Sequence, residues 1–229
     1  MSIRKTFLAV LSVTVAAGCG GSAPATLDTD AQKASYAIGL DMGGSLEPAA
    51  DHVDLKALMK GIEDALADRD PAIEEDELRT VMTAFNETVR TEQAAKLEAQ
   101  AEENLAAGAA YIEENGGREG VIITESGLQY EVLREGEGPS PESGQRVTIN
   151  YRGTLPNGTE FDSSYDKEPA TFAVDQVIPG FTEALKLMSV GSHFRIVLPS
   201  DLAYGAQGQG RDIGPNQALI FELELLGIE

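Results

Sequence analysis

The sequence predicts an α+β fold: an all-α N-terminal domain with a long connecting helix, then an antiparallel β-sheet wrapped on one short α-helix. Three observations carry this. Positions 28–115 are rich in Ala, Glu, Leu, Lys and Gln with apolar residues at helical spacing and almost no strand signal. From residue 128 onward, short β-branched and aromatic runs alternate with Gly, Pro, Asn and Ser, the punctuation of an antiparallel sheet. The switch falls at Gly116-Gly117, two residues that end a helix at little cost. At 229 residues and 42% hydrophobic content, the chain can fill the cores that such an arrangement needs.

Residues 1–19 stand apart from the fold. Arg4 and Lys5 precede an apolar run that closes on Ala16, Ala17, Gly18 and Cys19, the form of a secretory signal too short for a stable membrane span. The single cysteine at the end of that signal resembles a bacterial lipobox, in which the cysteine is lipidated and becomes the new N-terminus. Ala16 stands where the usual leucine would be, and an ordinary cleaved signal is the alternative. Residues 20–27 read as a flexible tether. Loss of the signal removes two basic residues and no acidic one, leaving 15 Lys+Arg against 38 Asp+Glu and a net charge of −23. So acidic a surface repels nucleic acid and anionic headgroups, and attachment to a membrane is expected through lipid.

Helices are expected at 28–46 and 54–67, the second with Leu55, Leu58, Ile62 and Leu66 on one face; Asp70-Pro71 interrupts the pattern. A third helix starts near Glu74 and runs some forty residues, about 60 Å at 1.5 Å per residue. Its apolar stripe is dense at Leu78, Met82, Phe85 and Val89, then thins to Leu97, Leu105 and Ile112 among alanines and glutamates. The thinning predicts an arm whose later part is solvated; a helix folded back on the globular half is the alternative. Strands are expected at 128–133, 146–155, 171–174, 193–198 and 218–226. A tight turn is expected at Pro156-Asn157-Gly158, and the only later helix over 181–188.

Residues suited to bond-making chemistry do not assemble. The serines (Ser163, Ser164, Ser189, Ser192, Ser200) lie in no nucleophile-elbow pattern, and His193 reads as a solvated surface residue. Metal-ligand spacing is missing, and Gly205 to Gly210 lacks the spacing, lysine and following helix of a phosphate loop. No cofactor or metal is implied. What stands out is a set of apolar and aromatic residues where strands meet loops.

Residues 127–229 resemble the FKBP-type peptidyl-prolyl isomerases along their whole length. Five segments carry the likeness, in order and at compatible spacing: Val147 to Gly153 (VTINYRG), Asn157 to Ser164 (NGTEFDSS), Val177 to Gly180 (VIPG), Pro199 to Gly205 (PSDLAYG), and Ile213 to Asn216 (IGPN) leading to LIFELEL at Leu219 to Leu225. Residues 28–125 are similar to the N-terminal domain of the macrophage-infectivity-potentiator subgroup. The chain thus divides at 28–125, a helical dimerisation domain with its arm, and 126–229, an isomerase domain.

The resemblance implies a cell-envelope prolyl isomerase acting on Xaa-Pro bonds of unfolded clients. It would be a homodimer on the periplasmic side, lipid-anchored to the outer membrane through Cys19. It also implies roles for residues. Tyr151, Phe161, Phe172, Val177, Ile178, Phe181 and Phe221 would line a proline pocket that also suits macrolide-type inhibitors. Tyr204 would donate its hydroxyl to a substrate carbonyl, Asp162 would be a polar group at the wall, and Ile213 would cap the rim. Three departures are visible: Phe181 replaces the family's tryptophan at the pocket floor, the loop 163–168 is one residue shorter, and Ala170 replaces an aromatic. A proline- or apolar-segment-binding holdase with little turnover is the rival reading, and a purely structural envelope lipoprotein a third.

Overall fold

The computed structural model describes residues 26–229. They form two compact units, one ending at Arg69 and one running from Asp70 to Glu229. The signal segment and Cys19 lie outside the described residues.

In the first unit, α1 (Asp30–Leu46) begins with a capping box. Thr29 Oγ1 accepts from the Gln32 amide at 3.3 Å, and Gln32 Oε1 accepts from the Thr29 amide at 2.9 Å. A 3₁₀ turn, Glu47–His52, with Pro48 in its first turn leads to α2 (Leu55–Leu66). Asp54 Oδ1 caps α2 by accepting from the Lys56 and Ala57 amides at 2.8 and 3.0 Å. Neither helix buries a residue within this unit. Tyr36, Ile38, Leu40, Leu55, Met59 and Leu66 stay exposed, and an apolar cleft of about 340 Å³ runs between the two helices past Met42, Leu58 and Ile62.

The second unit opens with α3 (Glu75–Gly116), 42 residues long, with Glu75, Asp76 and Glu77 in its first turn facing the positive end of the helix dipole. Seven strands follow: β1 (Val121–Ile123), β2 (Gln129–Arg134), β3 (Arg146–Thr154), β4 (Glu160–Ser163), β5 (Ala170–Ala173), β6 (His193–Leu198) and β7 (Leu219–Ile228). They form one antiparallel sheet in the order β1-β2-β6-β7-β3-β4, with β5 also paired to β3. Its concave face wraps α4 (Pro179–Leu187). Alternation does the packing: Val147 and Ile149 of β3, Phe194, Ile196 and Leu198 of β6, and Leu219, Leu223 and Leu225 of β7 meet Ala184, Leu185 and Met188 in one core. At the start of α4, a Cβ on Gly180 would lie 2.5 Å from Leu198 Cδ2, so only glycine lets the helix approach the sheet this closely.

The later part of α3, expected to be solvated, is docked on the sheet instead. Its seam is polar and small. Asn115 is buried and donates through Nδ2 to Gln129 Oε1 at 2.8 Å, while Gln129 Nε2 donates to the Ile112 carbonyl at 2.8 Å. Arg195 donates to the Tyr111 hydroxyl at 2.7 Å, and a Cβ on Gly108 would stand 3.0 Å from that of Ala218. Gly116 also serves close approach, since a Cβ there would meet Gln129 Nε2 at 2.9 Å. His193, expected on the surface, is half-buried opposite Glu224, and its Nε2 has no hydrogen-bond partner among the described residues.

Candidate active site

A cavity of about 480 Å³ opens between the concave face of the sheet and the start of α4. Tyr151 reaches it from β3, Phe161 and Asp162 from β4, Phe172 from β5 and Phe221 from β7. Val177 and Ile178 form a wall on the segment entering α4, and Phe181 is the floor in the first turn of that helix. Tyr204 stands at the mouth, between two 3₁₀ turns that follow β6.

Five of these rings form an unbroken edge-to-face chain. Phe161 meets Phe221 at 5.5 Å and 88°, and Phe221 meets Phe181 at 4.9 Å and 85°. Phe181 meets Tyr151 at 6.5 Å and 85°, and Tyr151 meets Phe172 at 6.0 Å and 61°. Each such pair is worth about 0.5–1.5 kcal/mol beyond its buried area, so every ring is held by its neighbours before any ligand arrives.

A hydrogen-bonded pair of polar groups, Tyr151 and Asp162, interrupts the apolar lining. The Tyr151 hydroxyl donates a short hydrogen bond to Asp162 Oδ2, and Asp162 Oδ1 accepts from the Ser163 amide at 2.9 Å with Lys167 Nζ at 3.4 Å. Burial, and then the bond to Asp162, push the Tyr151 phenol up to about 12. Burial works against the Asp162 carboxylate, but the bonds from Tyr151, the Ser163 amide and Lys167 outweigh it and hold its pKa below the ordinary value. Ser164 clamps Tyr151 from behind: its hydroxyl accepts from the Tyr151 amide and its own amide donates to the Tyr151 carbonyl, both at 2.9 Å. Tyr204 is 37% exposed, and its hydroxyl makes no hydrogen bond to the described residues, so it is free to donate to a ligand.

Nine of the ten expected pocket residues therefore converge. Ile213, expected at the rim, does not line the cavity: it is buried in the core, where a backbone bridge to Gln209 holds it. Gln176 does line the cavity and was not anticipated. Its signal was adjacency to Val177 and Ile178 in the same turn, which a search for apolar residues passes over.

A sheet curled around an apolar, ring-lined cavity with one ionised carboxylate defines a protein shaped to enclose an apolar segment of a ligand. Comparison with known proteins makes this specific. Residues 138–226 match the FKBP-type peptidyl-prolyl cis-trans isomerase family, and residues 31–132 match the domain amino-terminal to FKBP-type peptidyl-prolyl isomerase. The chain is 35% identical over 230 residues to outer membrane protein MIP of Legionella longbeachae, covering 100% of this chain and 99% of that protein. It is 43% identical over 205 residues to the FKBP-type 22 kDa peptidyl-prolyl cis-trans isomerase of Escherichia coli (strain K12), covering 89% and 98% respectively. Its fold matches the crystal structure of FkpA from Escherichia coli with a TM-score of 0.67 at 36% identity, covering 89% of this chain and 99% of that one. The chain belongs to the FKBP-type peptidyl-prolyl cis-trans isomerase family. Within it, the chain is of the two-domain kind represented by Mip and FkpA, with the amino-terminal domain as well as the isomerase domain.

The geometry suits that activity. Rotation about a prolyl amide is slowed by a barrier of about 18–20 kcal/mol that arises from resonance across C–N. The twisted amide has lost that resonance and is less polar than the planar one, so a dry apolar enclosure favours it selectively and lowers the barrier. No bond breaks and no nucleophile is required.

Proposed function

We propose that this isomerase is a folding catalyst of the bacterial cell envelope, paired through residues 28–90 and tethered by a lipid on Cys19. The ring-lined cavity carries the catalytic part of this reading. In it, Phe161, Phe172, Phe221, Val177, Ile178 and Phe181 enclose the proline ring. Asp162, oriented by Tyr151, faces the twisted carbonyl, and Tyr204 donates to a second carbonyl of the bound peptide. Macrolide-type inhibitors would take the same cavity. The envelope location is supported by the names of the relatives, an outer membrane protein among them, and by the signal-like residues 1–19.

Residues 20–229 are expected to accelerate cis/trans exchange of an Xaa-Pro peptide with a kcat/KM that stays flat from about pH 5 to 9, because Asp162 and Tyr151 each hold one protonation state there. Asp162, with its pKa lowered, keeps its charge until the pH falls below the usual carboxylate range; Tyr151, raised to about 12, keeps its proton until the pH rises toward that value. The linked stability follows the same signs: the Asp162 contribution is lost on acidification through its lowered pKa, and that of Tyr151 on alkalinisation from about 10 to 12. A rate that bends between pH 6 and 8 would assign the chemistry to some other group.

Pairing is supported by the apolar residues that α1 and α2 leave uncovered, a cleft that a second copy of the chain would fill. Sedimentation of residues 20–229 is expected to give roughly twice the chain mass. Leu55→Glu with Met59→Glu puts two charges on the exposed stripe of α2 and is expected to give a monomer with unchanged activity on a short peptide. A dimer that survives both charges would place the pairing surface elsewhere.

A further inference from the structure

We infer that Asn104 of α3 is a positioning residue of the isomerase site, acting through the loop 205–216 on Tyr204. This rests on Tyr204 being the pocket's carbonyl donor. Asn104 lies well over a hundred residues from that loop's end in sequence, yet its Nδ2 donates to the Pro215 carbonyl at 2.8 Å. Gln100, one turn earlier, covers the same place: a Cβ on Gly214 would sit 2.7 Å from Asn104 Nδ2 and 3.0 Å from Gln100 Nε2. One turn later, Gly108 lets α3 touch Ala218 just beyond the loop. Residues 100, 104 and 108 thus form one helical stripe pressed along 214–218.

The brace reaches Tyr204 in two steps. Asn216, next to Pro215, is held at φ 54° in the left-handed region that asparagine tolerates, and its amide donates to the Gly205 carbonyl at 2.9 Å. Gly205 directly follows Tyr204. Between these closed ends the loop is stiffened by the paired backbone bonds of Gln209 and Ile213, at 2.8 and 3.2 Å. Backbone bonds thus tie the loop together at its ends and across its middle, and Asn104 supplies its side-chain hydrogen bond to α3. Among the described residues Tyr204 has no hydrogen bond of its own to fix its hydroxyl, so its aim depends on where this loop sits.

The test is a double-mutant cycle in residues 20–229, read as kcat/KM on an Xaa-Pro peptide. Asn104→Ala is expected to lower kcat/KM by about three- to tenfold in the parent and to have almost no further effect in a Tyr204→Phe background, as for residues acting through one another. Gly214→Ala, crowding the same bond from the loop side, is expected to lower kcat/KM in the parent and to regain activity when combined with Asn104→Ala. Tyr111→Phe, which removes the bond to Arg195 elsewhere on the seam, is expected to leave kcat/KM unchanged. Losses that multiply in the Asn104→Ala, Tyr204→Phe pair would overturn the proposal, as would an Asn104→Ala variant of parental activity beside an impaired Tyr204→Phe. A fully active Tyr204→Phe would instead remove the donor role on which the proposal stands.

Discussion

Gly153→Ala, the addition of one methyl group, is expected to lower kcat/KM about 100-fold, because displacement of site groups by about 1 Å costs that much. Gly153 lies on the inward side of β3, opposite Phe221 on β7 and Asp162 on β4. Both neighbouring strands lay a ring across it: a Cβ would stand 2.5 Å from the Phe161 ring and 2.8 Å from the Phe221 ring. The two rings are not equally able to yield. Phe221 is 5% exposed and wedged edge-on against Phe181, so Phe161 at the mouth must swing. Its departure opens the apolar wall of the cavity proposed to enclose the twisted amide. Overpacking of this kind also costs about 1–3 kcal/mol of stability. Adding Phe161→Ala to Gly153→Ala is expected to restore part of the melting temperature and none of the activity. A single variant that retains parental kcat/KM would show that the site tolerates a displaced Phe161.

The same glycine marks where sequence reasoning stops. Tyr151, Arg152 and Gly153 were legible as a strand because Val147, Ile149 and Tyr151 alternate with polar residues, and a sheet with one covered face requires that period. Nothing local to Gly153 says that two rings from other strands will rest on it. β1 and β4, three and four residues long, are too short to show a period and are made by their partners. The docking of α3 was hidden for a different reason. A search for an apolar stripe cannot find a seam made of Gln100, Asn104, Gly108, Tyr111 and Asn115, although its spacing is as helical as any leucine stripe. Ile213 failed in the opposite sense, because an isoleucine in a pocket-adjacent loop suits a rim or a core equally well. Its bridge to Gln209 turned it inward, and that pairing carries no sequence signature. The other nine expected residues, each of which alone would pass for ordinary core, were singled out together only through resemblance, and they line one cavity.

Phe181 carries the other large effect, and two substitutions separate its two roles. It is 6% exposed, forms the cavity floor, and is the middle ring of the five, touching Phe221 at 4.9 Å and Tyr151 at 6.5 Å. Phe181→Ala removes both contacts and leaves a void under the pocket, so it is expected to cost about 3–5 kcal/mol of stability and most of the activity. Phe181→Trp keeps the buried ring and adds area on the side that faces the open cavity. With roughly 40 Å² of further apolar contact worth about 1 kcal/mol, kcat/KM on an Xaa-Pro peptide is expected to rise about fivefold, with little change in melting temperature. The two outcomes diverge because the ring belongs both to the core and to the lining of the cavity in which the substrate is proposed to sit. A Phe181→Trp protein destabilised as much as Phe181→Ala would mean that the floor is packed tightly on every side, and that the smaller ring is required by this core.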